Sequence, residues 1–236
     1  MEFTLDIALV RQILAQEYGR AREDIGRLGP LPALEGSARR HDEQIASAPD
    51  VNTLACRSGC TWCCHFTVDV RPAEVFRILD FVSQSLSTDE QERVYAEVRE
   101  NSRVIGLLAE SERATLNLKC PLLSQGQCVV YAARPQSCRN YHATDVAGCQ
   151  RSYEEPDNLD IDPEFAPGVY QAGGAHVEAF SNAMRDAGYD ERAYELNSAL
   201  NVALSQAQAR ERFLAKKLPF VGLSGEEVDT QFDDLA

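Results

Sequence analysis

The 236-residue sequence predicts a mainly α-helical fold, in which helices pack around an irregular cysteine-rich region with little or no β-structure. Apolar residues recur at helical spacing near the N-terminus, between residues 72 and 109, and after residue 160. Residues 117–160, called the cysteine segment below, lack this periodicity and contain only one strand-like run, CVVY at 128–131. A loop region of that length needs something besides an apolar core to order it.

The first helix is predicted to begin at Thr4, a good N-cap residue, and to end near Leu28. GPLP at 29–32 ends it, and a more polar helix is predicted over residues 33–46. The apolar positions that share one face of the first helix are Leu5, Leu9, Ile13 and Ile25. This face is expected to be buried.

Two further helix starts follow the first cysteines. Pro72 suits the first turn of a helix, and Ser87 followed by Glu90 is typical of a capping box, which predicts a helix to about Ala109. The apolar stripe expected after Pro72 consists of Val75, Ile78, Leu79 and Val82.

Helical sequence resumes at residues 160–163 and continues to about Lys217, with breaks predicted near Gly173-Gly174 and Gly188. The tail after Gly222 is acidic and is expected to be mobile. The chain therefore divides into N-terminal helices (1–50), a cysteine-cluster metal-binding domain (51–155), C-terminal helices packed on it (156–218) and an acidic tail (219–236).

The formal net charge of −14 at pH 7 argues against binding to nucleic acid or to an anionic membrane, because both would repel the chain. The sequence contains no apolar run long enough for a transmembrane helix. Its N-terminus lacks the basic start and the cleavage site of a signal peptide. We therefore expect a cytoplasmic protein, in a compartment that keeps thiols reduced.

The eight cysteines form two groups. The first cysteine group is Cys56, Cys60, Cys63 and Cys64, and the second is Cys120, Cys128, Cys138 and Cys149. Such thiols are disulfides, metal ligands or plain buried side chains. Clustered thiolates repel each other unless a cation neutralises them, so we prefer metal ligands. Soft sulfur donors select zinc, copper(I) or iron–sulfur clusters, and a reducing cytoplasm disfavours disulfides.

The neighbours Cys63 and Cys64 are expected to serve different partners, either two metals or one metal and the core. Adjacent side chains in a helix point about 100° apart. The second group has gaps of seven, nine and ten residues, so closing it on itself costs loop entropy that sulfurs borrowed from the first group would reduce. We therefore predict at least one metal centre with ligands from both groups.

The identity of the metal stays open at this point. Eight thiolates suffice for two four-sulfur zinc sites. The spacing Cys56-x3-Cys60-x2-Cys63 is also that with which radical SAM enzymes hold a four-iron cluster, and Trp62 resembles an aromatic residue often found there. The strand–helix repeat of their barrels is missing from this sequence. The expected cofactor is therefore zinc or iron, including an iron–sulfur cluster.

Two separated motifs, CRSGCTWCC at 56–64 and KCPLLSQGQCVVYAARPQSCRNY at 119–141, resemble the YkgJ-like cysteine-cluster family. The signature of that family is Cys-x2-Cys-x2-Cys-Cys, and the first gap here holds three residues instead of two. The resemblance covers about residues 55–150 and implies zinc- or iron-chelating cysteines. A flagellin lysine N-methylase carries a similar cluster, so the resemblance also allows an enzymatic role.

The resemblance assigns metal binding to the first seven cysteines, and Cys149 lies past its core motif. Arg134 and Arg139, which fall within the second motif, are expected to donate hydrogen bonds to sulfur and to offset thiolate charge. His65 and His142 are alternative nitrogen ligands. The remaining two histidines, His41 and His176, are expected at the surface or in the core.

Three functions remain open on the sequence alone. The favoured one is a metal-binding protein whose thiolates hold zinc or iron and tie the cysteine segment to a helical frame. The alternatives are an iron–sulfur enzyme of redox or methyl-transfer chemistry, and a metal-stapled module that binds another protein. Phosphate-binding glycine loops, metalloprotease helices and nucleophile elbows are missing from the sequence, so no catalytic residue is assigned.

Overall fold

The structure is a computed structural model that describes residues 6–57, 59–228 and 232. The predicted mainly helical fold is confirmed, because the described residues form ten α-helices and only four strands of two residues each. The helices are α1 (Ile7–Leu28), α2 (Pro30–Ala46), α3 (Pro72–Ser85), α4 (Thr88–Ile105), α5 (Glu110–Ala114), α6 (Gln136–Asn140), α7 (Val146–Glu154), α8 (Pro167–Asp186), α9 (Leu196–Ser205) and α10 (Ala209–Leu214). The strands are β1 (Asp69–Val70), β2 (Leu123–Ser124), β3 (Gln127–Cys128) and β4 (Tyr194–Glu195).

Helices α1, α2 and α8 pack against one another and form one side of the molecule. The face of α8 that meets α1 carries small side chains. Its alanines, which pack against Val10, Ile13 and Leu14 of α1, are Ala172, Ala175 and Ala179. Small residues at such a contact let two helices approach closely, so α8 can serve as the central support of the helical frame.

The main apolar core lies where α3, α4, α9 and α10 meet. The Phe76 and Phe213 rings pack at 5.5 Å between centroids, and Phe220 adds a third ring at 5.9 Å from Phe76. This core also contains Leu34 and Leu122. Apolar residues from all four predicted segments therefore share one core.

The predicted start of the first helix, Thr4, lies outside the described residues. The residue that caps α1 is Asp6, whose side chain accepts a hydrogen bond from the Leu9 N–H at 3.0 Å. Helix α2 begins earlier than predicted, because Gly29 turns the chain with a φ of +85° and Pro30 then occupies the first helical position. The stripe after Pro72 is as predicted, with Val75, Ile78 and Val82 buried.

The predicted helix break at Gly173-Gly174 is wrong, since α8 runs through both residues. Gly173 is needed for close packing, because a Cβ at this position would collide with the Asn140 side chain and would lie 3.0 Å from the Ile45 side chain. The predicted break at Gly188 is correct, because this residue has a φ of +86° just beyond the end of α8.

The cysteine segment contains more helix than the sequence predicted. Helix α7 is capped by Asp145, whose carboxylate accepts hydrogen bonds from the N–H groups of Ala147 and Gly148, both at 2.9 Å. Only the first residue of the CVVY run is in a strand, where Cys128 pairs with Leu123 across the β2–β3 hairpin. Short polar caps and a tight hairpin thus replace a long apolar pattern here.

The predicted mobile tail makes specific contacts where the structure describes it. Glu226 exchanges two backbone hydrogen bonds with Ala193, each at 2.9 Å. Phe232 is buried against α1 and α8, and its N–H donates to both oxygens of Glu178 at 3.0 and 3.1 Å. Residues 229–231 and 233–236 of this tail lie outside the described part. No helix within the described ranges is both long and apolar enough to cross a membrane.

Candidate metal centre

The first cysteine group lies on a loop that ends in a single 3-10 turn at Trp62–His65, not on a continuous helix. Gly59 adopts a φ of +88°, which turns the chain between Cys56 and Cys60. The turn then carries both Cys63 and Cys64. The loop therefore folds back on itself and brings its own thiols close together without helical periodicity.

The beginning of the second cysteine group lies directly beside the end of the first. The Cys120 N–H donates to the Cys64 carbonyl at 2.8 Å, and the Leu118 N–H donates to the His65 carbonyl at the same distance. These two bonds form a short extended ladder between the groups. Residues 56 apart in the chain, Cys64 and Cys120, are thereby neighbours.

The β2–β3 hairpin then returns Cys128 towards Cys120. Its register places Cys128 opposite Leu123, and the Val129 N–H donates to the Leu122 carbonyl at 2.9 Å. Cys138 follows on α6. The hairpin and the short helix thus bring two distant cysteines of the second group back to the Cys64–Cys120 ladder.

Electrostatic contacts define a set of four thiols around Cys64, called the Cys64 set: Cys64, Cys120, Cys128 and Cys138. Burial, with smaller contributions from the charges of Cys64 and Cys128, raises the pKa of Cys120 to about 12. Burial likewise raises the pKa of Cys138, to which Cys120, Cys64 and Cys128 add. Cys138 therefore lies near the other three members, and Cys64 also lies near Cys120 and Cys128.

The other four thiols form the Cys56 set: Cys56, Cys60, Cys63 and Cys149. The Ala143 N–H donates to the Cys56 Sγ at 3.3 Å, which fixes Cys56 beside the approach to α7. Cys149 lies in the first turn of α7 and is buried. Its pKa is raised to about 11 by burial, with further contributions from Cys56 and Cys60.

Tyr141 lies among three members of the Cys56 set. Burial raises its pKa, and the charges of Cys149, Cys63 and Cys56 raise it further. On the other side, Tyr153 of α7 packs on the 3-10 turn, with its ring centroid 5.4 Å from Trp62 and 4.9 Å from His65. Tyr153 therefore holds α7, and with it Cys149, against the first cysteine group.

Cys63 and Cys64 face different sets but remain in contact. A hydrogen bond from the Cys63 thiol lowers the pKa of Cys64 to about 7, and the same bond raises the pKa of Cys63, which keeps its proton. Cys64 is a neighbour of Cys120, Cys128 and Cys138, whereas Cys63 is a neighbour of Cys56 and also of Cys138. The predicted divergence of the two side chains is thus only partial.

The two arginines of the second motif have different surroundings. Arg139 is only 2% exposed, and its guanidinium donates to Asp42 of α2 at 2.5 Å and to the Ala132 carbonyl at 3.0 Å. Arg134 stacks 4.0 Å above the Tyr131 ring, and its charge lowers the pKa of the Cys128 thiol, against the stronger effect of burial. Of the two, Arg134 is the one whose charge bears on a thiol, whereas Arg139 joins the cysteine segment to α2.

The four histidines occupy two regions. His65 lies in the 3-10 turn with Nδ1 3.1 Å from the Thr61 carbonyl, and half-buried His142 lies between α6 and α7. His41 and His176 are both buried in the helical frame, with their rings edge to face at 5.3 Å. Sequence analysis expected this pair at the surface or in the core, and the structure places both histidines in the core.

The chemistry of the eight side chains suits a soft metal. All eight are free thiols, and seven of them are half-buried. Within the described residues, no three His, Cys, Asp or Glu side chains already stand at metal-holding spacing, so a bound ion would draw neighbouring thiols together. The repulsion between their charges, which raises several of their pKa values, is what a divalent cation removes.

Sequence analysis did not identify three residues that shape this region. Asp42 binds Arg139, Tyr153 packs on the 3-10 turn, and Asp50 accepts hydrogen bonds from the N–H groups at the start of α8. Each lies far in sequence from its partner. A sequence signal exists only for Asp50, because an acidic residue suits a helix N-terminus, but nothing in the chain specifies which helix.

A model of the CxxCxxCC family, described as "Putative zinc- or iron-chelating domain", matches residues 55–162, a little under half of the chain. The matched range includes all eight cysteines and the two arginines of the second motif. No curated protein and no solved structure matches the chain. Residues 55–162, which follow the first two helices and precede α8, are therefore similar to the CxxCxxCC family.

Proposed function

We propose that this protein binds two metal centres, one held by the thiolates of the Cys64 set and one by those of the Cys56 set. Each set has four sulfurs, the number that a tetrahedral structural site uses. Each also combines the two cysteine groups, since Cys64 joins three cysteines of the second group and Cys149 joins three of the first. The observation that carries the proposal is the Cys64–Cys120 backbone ladder, with Cys128 and Cys138 as further charged neighbours.

The protein's own residues supply the charge balance for such centres. Without a cation, burial and mutual repulsion keep most of these thiols protonated, and Cys64 is the first to ionise because Cys63 donates a hydrogen bond to it. Metal binding therefore releases protons, and Cys64 is the preferred first ligand. When bound, the metal would supply a strong cross-link between the two cysteine groups.

Zinc or iron is the metal class that this donor set supports. Thiolates are soft ligands, and sites made only of cysteine hold zinc or iron–sulfur clusters. The Ala143 N–H that donates to the Cys56 Sγ is the kind of contact that stabilises a metal-bound thiolate. Arg134 plays a related part at Cys128, because its guanidinium offsets negative charge there.

Metal content and an optical spectrum of anaerobically purified protein test this proposal. A colourless protein with about two zinc ions per chain is the expected result for two tetrahedral sites. A brown protein with iron and sulfide would instead support the iron–sulfur alternative with the same ligands. Substoichiometric binding of every metal tried, with intact folding, contradicts both.

Two single substitutions separate the sets. Cys64→Ser should abolish the centre of the Cys64 set and halve the bound metal, and Cys63→Ser should remove the other centre instead. The matched control is Ser137→Ala, which alters an exposed neighbour of Cys138 and should keep full stoichiometry. Alkylation of the two variants maps which cysteines still bind metal. If both variants have the same metal content and protect the same cysteines, the division into two sets is contradicted.

A further inference from the structure

A groove of about 400 Å³ lies between the C-terminal halves of α1 and α8, on the helical frame and outside the cysteine segment. Its lining combines small and apolar side chains with basic and acidic ones. The lining residues are Arg22, Ile25, Gly26, Ala183, Asp186, Ala187, Tyr189 and Lys216. Its size is that of a typical ligand-binding cleft.

Both cations of the groove are held over aromatic rings. The Arg22 guanidinium lies 5.6 Å from the centre of the Tyr18 ring, and the Lys216 ammonium lies 5.4 Å from that of Tyr189. Asp186 is the acidic member of the lining set, and it accepts a hydrogen bond from the Tyr18 hydroxyl. The groove therefore holds two cations and one carboxylate, and the carboxylate accepts the Tyr18 hydrogen bond.

Positive charge at this place is unusual for the molecule. The chain has a net charge of −14 and only three lysines, and two of them, Lys216 and Lys217, are adjacent and exposed here. Exposed apolar side chains lie on both sides of this pair in the sequence: Leu214 at 46%, Leu218 at 52% and Val221 at 53% exposure. A basic and apolar surface thus extends from the groove along residues 214–221.

This surface is held rigidly. Lys216 has a φ of +58°, a left-handed conformation, and its N–H donates to the Phe213 carbonyl at 2.8 Å. The Lys217 N–H donates to the Arg212 carbonyl at 2.8 Å. The Arg212 side chain in turn donates from Nε to the Leu218 carbonyl at 2.8 Å. Buried Phe213 anchors the segment to the core. A rigid surface loses little entropy on binding, which favours recognition.

We propose that the groove and residues 214–221 form a docking surface for an acidic segment of a partner protein that carries leucine or phenylalanine side chains. Carboxylates of the segment would meet Arg22, Lys216 and Lys217, and an apolar side chain would enter the groove above Ala187. Charge complementarity favours an acidic occupant. The exposed leucines extend beyond the groove, so the surface suits a peptide segment better than a small carboxylic acid.

The test uses the full-length protein and a labelled synthetic amphipathic peptide of about 15 residues, made of glutamate and leucine. Fluorescence anisotropy should show saturable binding that weakens as salt rises, because the contacts are partly ionic. The same peptide with lysine in place of glutamate is the first control and should not bind to this surface. No binding of the glutamate peptide, or equal binding of both peptides, overturns the proposal.

Variants locate the binding. Lys217→Glu and Arg22→Glu should each weaken the affinity about tenfold or more, since each replaces an attraction by a repulsion. Lys216→Asn removes the charge with a residue that tolerates the left-handed conformation, and Ala187→Leu fills the groove without changing charge. Both should weaken binding.

The matched control is Arg103→Glu, which makes the same charge change at an exposed site on α4 and should leave the affinity unchanged. An equal effect of Arg103→Glu and Lys217→Glu would mean that only the net charge matters, and would overturn the proposal. Three other results would also overturn the proposal. The protein could bind phosphatidylserine vesicles but not the peptide, or octanoate alone could compete for the surface. Light scattering could also show a dimer that Ala187→Leu dissociates.

Discussion

The helical frame and the cysteine segment are held together by different forces. In the frame, side chains such as Phe76 and Phe213 are almost fully buried, and burial of apolar surface supplies the stability. In residues 117–160, Leu122, Val130 and Ala133 join this core, and the other contacts are mainly backbone hydrogen bonds, helix caps and half-buried thiols. We therefore expect the frame to depend mainly on apolar burial, and most of the segment to depend on its polar contacts and on the thiols.

Polar contacts also join the two regions. Glu74 of α3 is buried and accepts a hydrogen bond from the Gln136 N–H at 2.6 Å, and Asp42 of α2 binds Arg139. Both contacts use a carboxylate from the frame. The geometry of the junction is therefore specific, but we expect it to contribute less to the free energy of unfolding than the apolar core does.

Metal removal should have the largest effect and should separate the two regions. We expect chelator treatment to raise the rate of proteolysis within residues 117–160 by ~10-fold or more, because the binding energy of structural thiolate sites is part of the folding energy. Helices α1 and α9 should stay protected. Limited proteolysis with mass spectrometry measures this. Equal protection of the whole chain with and without chelator would contradict the comparison.

A substitution in the frame should be costly and independent of metal. Phe76→Ala removes a fully buried ring between Phe213 and Phe220, and we expect it to destabilise the protein by about 3–5 kcal/mol. Urea unfolding measures the loss. The cost should be the same with and without chelator, and a cost that disappears on chelation would show that the frame is not independent.

Acid should weaken the frame through the buried histidine pair. Burial, with smaller contributions from the charges of His176, Arg139, His142 and Arg134, lowers the pKa of His41 from 6.5 to about 2. The folded state therefore keeps His41 neutral, whereas the unfolded state binds a proton below pH 6.5. Stability present above pH 6.5 is lost as the pH falls towards 2, at about 1.4 kcal/mol per pH unit for this group.

The variant His41→Phe tests this assignment. It removes the titrating ring from a fully buried position, so the decline in unfolding free energy between pH 6.5 and 5 should be smaller than in the wild type by about 2 kcal/mol. Thiol protonation adds the same slope to both proteins and cancels in the comparison. Parallel pH profiles would show that His41 does not carry the effect.

The smallest effects should come from matched helix caps. Asp145→Ala removes the cap of α7 in the cysteine segment, and Ser87→Ala removes that of α4 in the frame. Each should cost about 1 kcal/mol. Only Asp145→Ala should also weaken metal binding, because α7 carries Cys149, and metal titration of both variants checks this. Equal metal affinity of the two variants would mean that α7 is not coupled to the thiols.

Sequence patterns predicted the frame better than the segment. Apolar periodicity and the signals at Pro72 and Ser87 are local, so the helices that they begin were predicted correctly, although α4 ends at Ile105 and not at Ala109. The glycine pair at Gly173-Gly174 misled the prediction, because its role is contact with Asn140 and not a turn. Local signals cannot report a neighbour that lies more than 30 residues away.

The sequence by itself determined the composition of the candidate site, its eight cysteines and their spacing, and the helical character of the chain that surrounds it. Only the tertiary structure decided which thiols lie together. The spacing of the first group is compatible with one face of a helix, but residues 56–64 form a loop, and the ladder from Cys120 to Cys64 separates the two sets. That ladder is a backbone contact between distant segments, and backbone hydrogen bonds carry no signature in the side chains of the residues that make them.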